Sequence, residues 1–130
     1  MRSTQACQSP YGHELILDLH GCDPNTFNRE SIGRFFALLC DKIEMTACEL
    51  HFWDDTGLPP EECQTEPHAK GTSAVQFILT SSMVIHTLDL LEAVYLNIFS
   101  CKEFDPDEAA QFAVQWFHAT SHTSHYIERR

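Results

Sequence analysis

The sequence predicts an α+β fold, a two-layer sandwich with two helices on one face of a largely antiparallel sheet. Three observations predict it. Stretches of alternating apolar and polar residues outnumber stretches of helical period, most links between them are short, and the order reads β-α-β-β-β-α-β. Helices on one face leave the other face needing cover, and a second subunit is the simplest cover. With 130 residues the chain makes one domain, 1–130, large enough to bury a core.

Each element has its own warrant. In HELILDLH, residues 13–20, Leu15, Leu17 and Leu19 share one face of a strand. CDPN then offers a stop and a start: Asp23 as cap, Pro24 at the first helical position. Ile32, Phe35, Phe36, Leu39 and Ile43 follow at helical spacing and predict a helix with one core face. TACELHFW, residues 46–53, reads as the second strand. Residues 54–71 are acidic and carry three prolines, so they read as a long loop, either functional or a tolerated insertion. Three strands come next, over 74–79, 83–88 and 93–99. Asp105 caps the second helix, Pro106 begins it and Glu108 completes a capping box. Phe112, Trp116 and Phe117 form its apolar stripe, and SHTSHYIE adds a last edge strand.

Composition excludes several function classes. The net charge of -11 argues against a nucleic-acid partner, which needs clustered Lys and Arg. No apolar run reaches the roughly 18 residues of a membrane span, and residues 1–12 lack an apolar stretch of signal-peptide length. The expectation is a soluble, cytoplasmic protein with neither membrane nor nucleic acid as partner. Cys7, Cys22, Cys40, Cys48, Cys63 and Cys101 contain no C-x-x-C pair, which discourages zinc and a disulfide framework alike. His118, His122 and His125 read as a frayed helix end leading into a polar strand, so no metal is expected.

The run GTSAVQFILTSSMVIHTLDLLEAVYLNIFSC, residues 71–101, is harder to explain as core alone. It holds Gly71-Thr72-Ser73, then Ser81 eight residues after Ser73. Ile85-His86-Thr87 puts His86 five residues after Ser81, and Ser100-Cys101 puts Cys101 fifteen further on. These spacings, with GHELILDLHGCD at 12–23, resemble the small bacterial-type S-adenosylmethionine decarboxylase proenzymes. The similarity covers nearly the whole chain from Gly12 onward, apart from the long loop. Singly, each residue is explained blandly: a backbone-bonded Ser, a satisfied core His, an inert Cys. The joint spacing is what overturns those readings.

The resemblance implies a self-cleaving decarboxylase that makes its own pyruvoyl cofactor from Ser81 and serves spermidine and other polyamine synthesis. No side chain is an electron sink for the carbanion left by carbon dioxide, so such an enzyme needs a carbonyl group. By the same resemblance Ser81 attacks the carbonyl of Thr80, and the chain divides at Thr80–Ser81 into a β chain, 1–80, and an α chain, 81–130. His86 is then the base of the elimination that follows, a role suited to a group titrating near working pH. Ser73 holds the oxygen of the intermediate, and Cys101 donates a proton to the product carbanion. The partners implied are a small amino-acid substrate and a second subunit in a homodimer with shared active sites. Ser81 and His86 stand ~16 Å apart on an extended segment, at ~3.3 Å per residue. Ser81 and Cys101 of one chain would therefore work with Ser73 and His86 of the other.

The chain also departs from the family pattern. Thr80 stands where Glu is typical, and this β-branched residue stiffens the cleavage site. Leu88-Asp89-Leu90 replaces W-P-E, and residues 54–71 replace a shorter link. The substrate side is therefore open between S-adenosylmethionine and another amino acid such as ornithine or arginine. An unprocessed, non-catalytic binding homologue is the reading from a different class.

Overall fold

Alternation and helical period become six strands and two helices in a computed structural model that describes residues 9–130. In chain order they are β1 (Gly12–His20), α1 (Arg29–Lys42), β2 (Ala47–Trp53), β3 (Gly71–Ile78), β4 (Ser81–Leu88), β5 (Ala93–Ser100), α2 (Pro106–Phe117) and β6 (Ser121–Arg129). The strands form one sheet in the order β2-β3-β4-β5-β1-β6, and every neighbouring pair is antiparallel. Both helices pack on the same face, α1 against β2 and β3, α2 against β1 and β6. This is the α+β sandwich the sequence predicts. Cys7 and most of the N-terminal stretch read for a signal lie outside the described residues.

The core is built where the alternation says. Leu15, Leu17 and Leu19 of β1, Met83 and Ile85 of β4, and Leu96 and Ile98 of β5 face the helices and are buried. Ile32, Phe35, Phe36, Leu39 and Ile43 meet them from above. The ring of Phe35 lies 4.9 Å from that of Phe117 and 5.6 Å from that of Phe112, which ties the helices together. Burying one such side chain is worth about 1.5–3 kcal/mol.

Four expectations need correction. The first helix begins at Arg29, not at Pro24. Asp23 caps only a 3-10 turn, Pro24–Thr26, while Asn28 accepts a hydrogen bond from Ser31 N–H at 2.9 Å and starts α1. Between them Phe27 is buried against Phe117, and anchoring that ring makes the chain turn before the helix can run. Second, the stripe of α2 is less buried than predicted. Ala109, Ala110, Ala113 and Phe117 face the core, whereas Phe112 and Trp116 are half-buried, and Trp116 donates to Ser31 Oγ at 3.0 Å. Third, strand limits move by a few residues. Gly71 opens β3 rather than closing the loop, because a side chain there would meet the Thr87 carbonyl oxygen at 1.7 Å. Fourth, α2 stops cleanly at His118, in the left-handed conformation, rather than fraying.

Residues 54–70 are ordered by ion pairs. Asp54 accepts from Arg29 Nε and Nη2, and that guanidinium holds its carboxyl down to about 2. Asp55 accepts from Gln64 N–H at 2.8 Å and from Lys70 at 3.4 Å. Cys22 and Cys40 are buried, and burial pushes their thiols up to about 11, which makes them inert core residues. Among the described residues no helix is long and apolar enough to cross a membrane.

Candidate active site

Two groups of polar residues stand out, and they hold every residue the motif spacing singled out. The first lies at the β3–β4 turn. Leu79 and Thr80 make this two-residue link, and Thr80 has a φ of +54°. A β-branched residue in the left-handed region is a strained outlier. Two-residue hairpins ordinarily use Gly or Asn where φ is positive, and nothing in the residue type announces Thr80 in that role. Ser81 opens β4 and is almost fully buried. Its Oγ accepts from the Cys101 backbone N–H at 3.2 Å and lies 3.8 Å from Cys101 Sγ. Thr80 Oγ1 is 3.2 Å from the same sulfur. Cys101 follows β5, which runs antiparallel to β4, so the sheet itself brings residues 80, 81 and 101 together.

The Cys101 thiol is exposed, and the Thr80 hydroxyl, followed by that of Ser81, draws its pKa below the ordinary thiol value. A cleft of about 230 Å³ opens beside this group, lined among others by Met45, Ile78, Ser81, Cys101 and Lys102.

The second group lies on the uncovered face of the sheet. Register pairs Ser73 of β3 with His86 of β4, and Ser73 Oγ is 2.7 Å from His86 Nδ1. The same row continues to Trp53 on β2, Tyr95 on β5 and Asp18 on β1. Trp53 is 56 % exposed and Tyr95 36 %, so aromatic surface flanks the pair on both sides. Motif spacing does not reveal Trp53 or Tyr95. Strand register would, since both fall opposite Ser73 or His86.

The structure brings Ser81 to Cys101 and Ser73 to His86, but it does not bring the pairs together within one chain. Ser81 and His86 sit five residues apart on the same strand, ~16 Å at ~3.3 Å per residue. An odd separation also puts their side chains on opposite faces, Ser81 with buried Met83 and Ile85, His86 with solvent. Ser82 shares the His86 face, between Phe77 and Phe99. The histidines His122 and His125 likewise point to opposite faces of β6 and do not converge.

A family model described as S-adenosylmethionine decarboxylase matches residues 13–130. Among solved structures, the chain is similar to the adenosylmethionine decarboxylase from Aquifex aeolicus VF5. The TM-score is 0.73 at 15% identity, over 93% of this chain and 92% of that one, a likeness that bears on the fold. Among curated proteins no sequence match is found.

Proposed function

Because the chain belongs to the S-adenosylmethionine decarboxylase family, we propose that it cleaves itself at Thr80–Ser81 and uses the resulting pyruvoyl group to decarboxylate S-adenosylmethionine. The carboxy-lyase activity is that of the family, whose product feeds polyamine synthesis. The observation that carries the reading is the contact of Ser81 with Cys101 beside a strained Thr80.

The chemistry of cleavage proposed here is the one the family resemblance implies. Ser81 Oγ attacks the Thr80 carbonyl carbon, the peptide C–N bond breaks, and an ester replaces the amide. Strain at Thr80 favours leaving the peptide state. Loss of the Ser81 α-proton then expels the Thr80 carboxylate, and water converts the dehydroalanine to pyruvoyl and ammonia. Ser73 and His86, joined at 2.7 Å, are an oxygen-binding hydroxyl and a base.

Residue 81 fits the group that would be made from it. It begins β4 at the mouth of a cleft, with the Cys101 thiol against it. A pyruvoyl carbonyl there supplies the electron sink for loss of carbon dioxide. Cys101 Sγ, 3.8 Å from Ser81 Oγ in the uncut chain, is placed to return a proton to the carbon that loses carbon dioxide.

The base must come from elsewhere than the same chain, and the sheet face supports a second copy as its source. Trp53, Phe77 and Tyr95 are exposed on that face, an apolar surface of the kind that marks an interface. The 230 Å³ cleft is smaller than the roughly 300–1,000 Å³ of ordinary ligand pockets, as half of a shared site would be. In this homodimer Ser81 and Cys101 of one subunit, at the ends of β4 and β5 where the sheet no longer separates its two faces, meet Ser73 and His86 of the other, and Trp53 and Tyr95 offer ring faces to a planar substrate group. The test is intact-mass measurement, followed by carbon dioxide release from carboxyl-labelled S-adenosylmethionine with ornithine and arginine as comparators. Two fragments and release from S-adenosylmethionine alone are expected; an uncut, inactive chain contradicts the proposal.

A further inference from the structure

The two edges of the sheet are built differently. β2 carries a register shift between Ala47 and Leu50 in its pairing with β3, an irregularity of the kind that bends an edge strand. β6 has no such device. Its pairing with β1 runs without interruption from Gly12↔Arg129 to His20↔Ser121, and its nine residues include no Pro, Gly or Lys. All nine are exposed, and among the described residues β1 is its one strand neighbour. Long, flat edges of this kind are ordinarily blunted, because their free N–H and C=O groups accept another strand.

Charge names the occupant. A chain of net charge -11 repels its own copies over most of its surface. In β6 one acid, Glu128, and one base, Arg129, cancel. The strand is also complementary to itself. Antiparallel pairing centred on His125 sets His122 opposite Glu128 twice and Thr123 opposite Ile127 twice. His122 and Glu128 project on the same face of the sheet, so the cross-strand pairs can form. Glu128 is exposed, and its described partner is Arg130 of its own chain at 3.0 Å.

We infer that β6 is an interaction surface for a second copy of this chain, joined antiparallel about a two-fold axis at His125 into a continuous twelve-stranded sheet. The axis is perpendicular to the sheet, so all helices stay on one side and the opposite face stays free. This contact is separate from the face-to-face contact of the shared active site, and the two together close at four chains where their two-fold axes cross at right angles.

Sedimentation equilibrium at neutral pH tests it with surface charges that leave the fold intact. His122→Glu sets Glu against Glu at both pairs and should weaken association by about tenfold, so that near the wild-type dissociation constant the average mass falls toward that of the species lacking this contact. His122→Glu with Glu128→Lys sets opposite charges at both pairs and should restore the mass. Both variants should still cleave themselves like wild type. A mass unchanged by His122→Glu, or one that the second substitution does not restore, overturns the proposal.

Discussion

The β3–β4 turn and the middle of the sheet face hold the two halves of one chemistry, and they differ in how the fold makes them. At the turn, Thr80, Ser81 and Cys101 are forced together by a tight link and a neighbouring strand end, with backbone strain at the bond to be broken. On the face, Ser73 and His86 are an unstrained cross-strand pair on regular strands. In the proposed reaction the first region is the substrate of its own cleavage, and the second is a tool that can remain rigid. On that proposal, their separation within each subunit makes reaction depend on assembly.

The largest expected effect falls on the turn. Ser81→Ala should abolish cleavage completely, while Ser82→Ala, whose side chain lies on the other face, should still cleave. A denaturing gel shows this directly, and an uncut Ser82→Ala chain would move the cleavage site by one residue.

Next is Cys101, which belongs to the turn but acts after cleavage. Cys101→Ala should process normally and decarboxylate at least about 10²-fold more slowly. In the wild type the donor must be protonated, so decarboxylation kcat should be level at low pH and fall on an alkaline limb as the thiol is lost. A pH–rate profile in which cleaved Cys101→Ala keeps that limb would remove Cys101 from the step.

The smallest effect probes strain. Thr80→Gly relieves about 1–2 kcal/mol of left-handed backbone cost and should slow cleavage by roughly tenfold. Cleavage as fast as wild type, followed by mass against time, would show that strain does not drive the reaction.

Much of this was legible in the sequence. Alternation placed every strand within a few residues, and motif spacing singled out Ser73, Ser81, His86 and Cys101, which the fold brings together as two pairs. What escaped has physical reasons. Phe27 delays α1 because a tertiary contact overrides one good local cap, Asp23, and leaves Asn28 to start the helix. The conformation of Thr80 is imposed by the two-residue link against the preference of its own side chain. Trp53 and Tyr95 enter the row of Ser73 and His86 through pairings between strands, and spacing along the chain does not encode those pairings.

The central claim is that a working site needs two chains, and complementation measures it. Ser81→Ala lacks the nucleophile and His86→Ala lacks the base, so each alone should stay whole. Co-expressed, a mixed dimer holds one intact site, made of Ser81 from the His86→Ala chain and His86 from the Ser81→Ala chain. Differently tagged chains should then show partial cleavage of the His86→Ala chain alone. No cleavage in a preparation shown to contain mixed dimers would contradict the account and return the whole site to a single subunit.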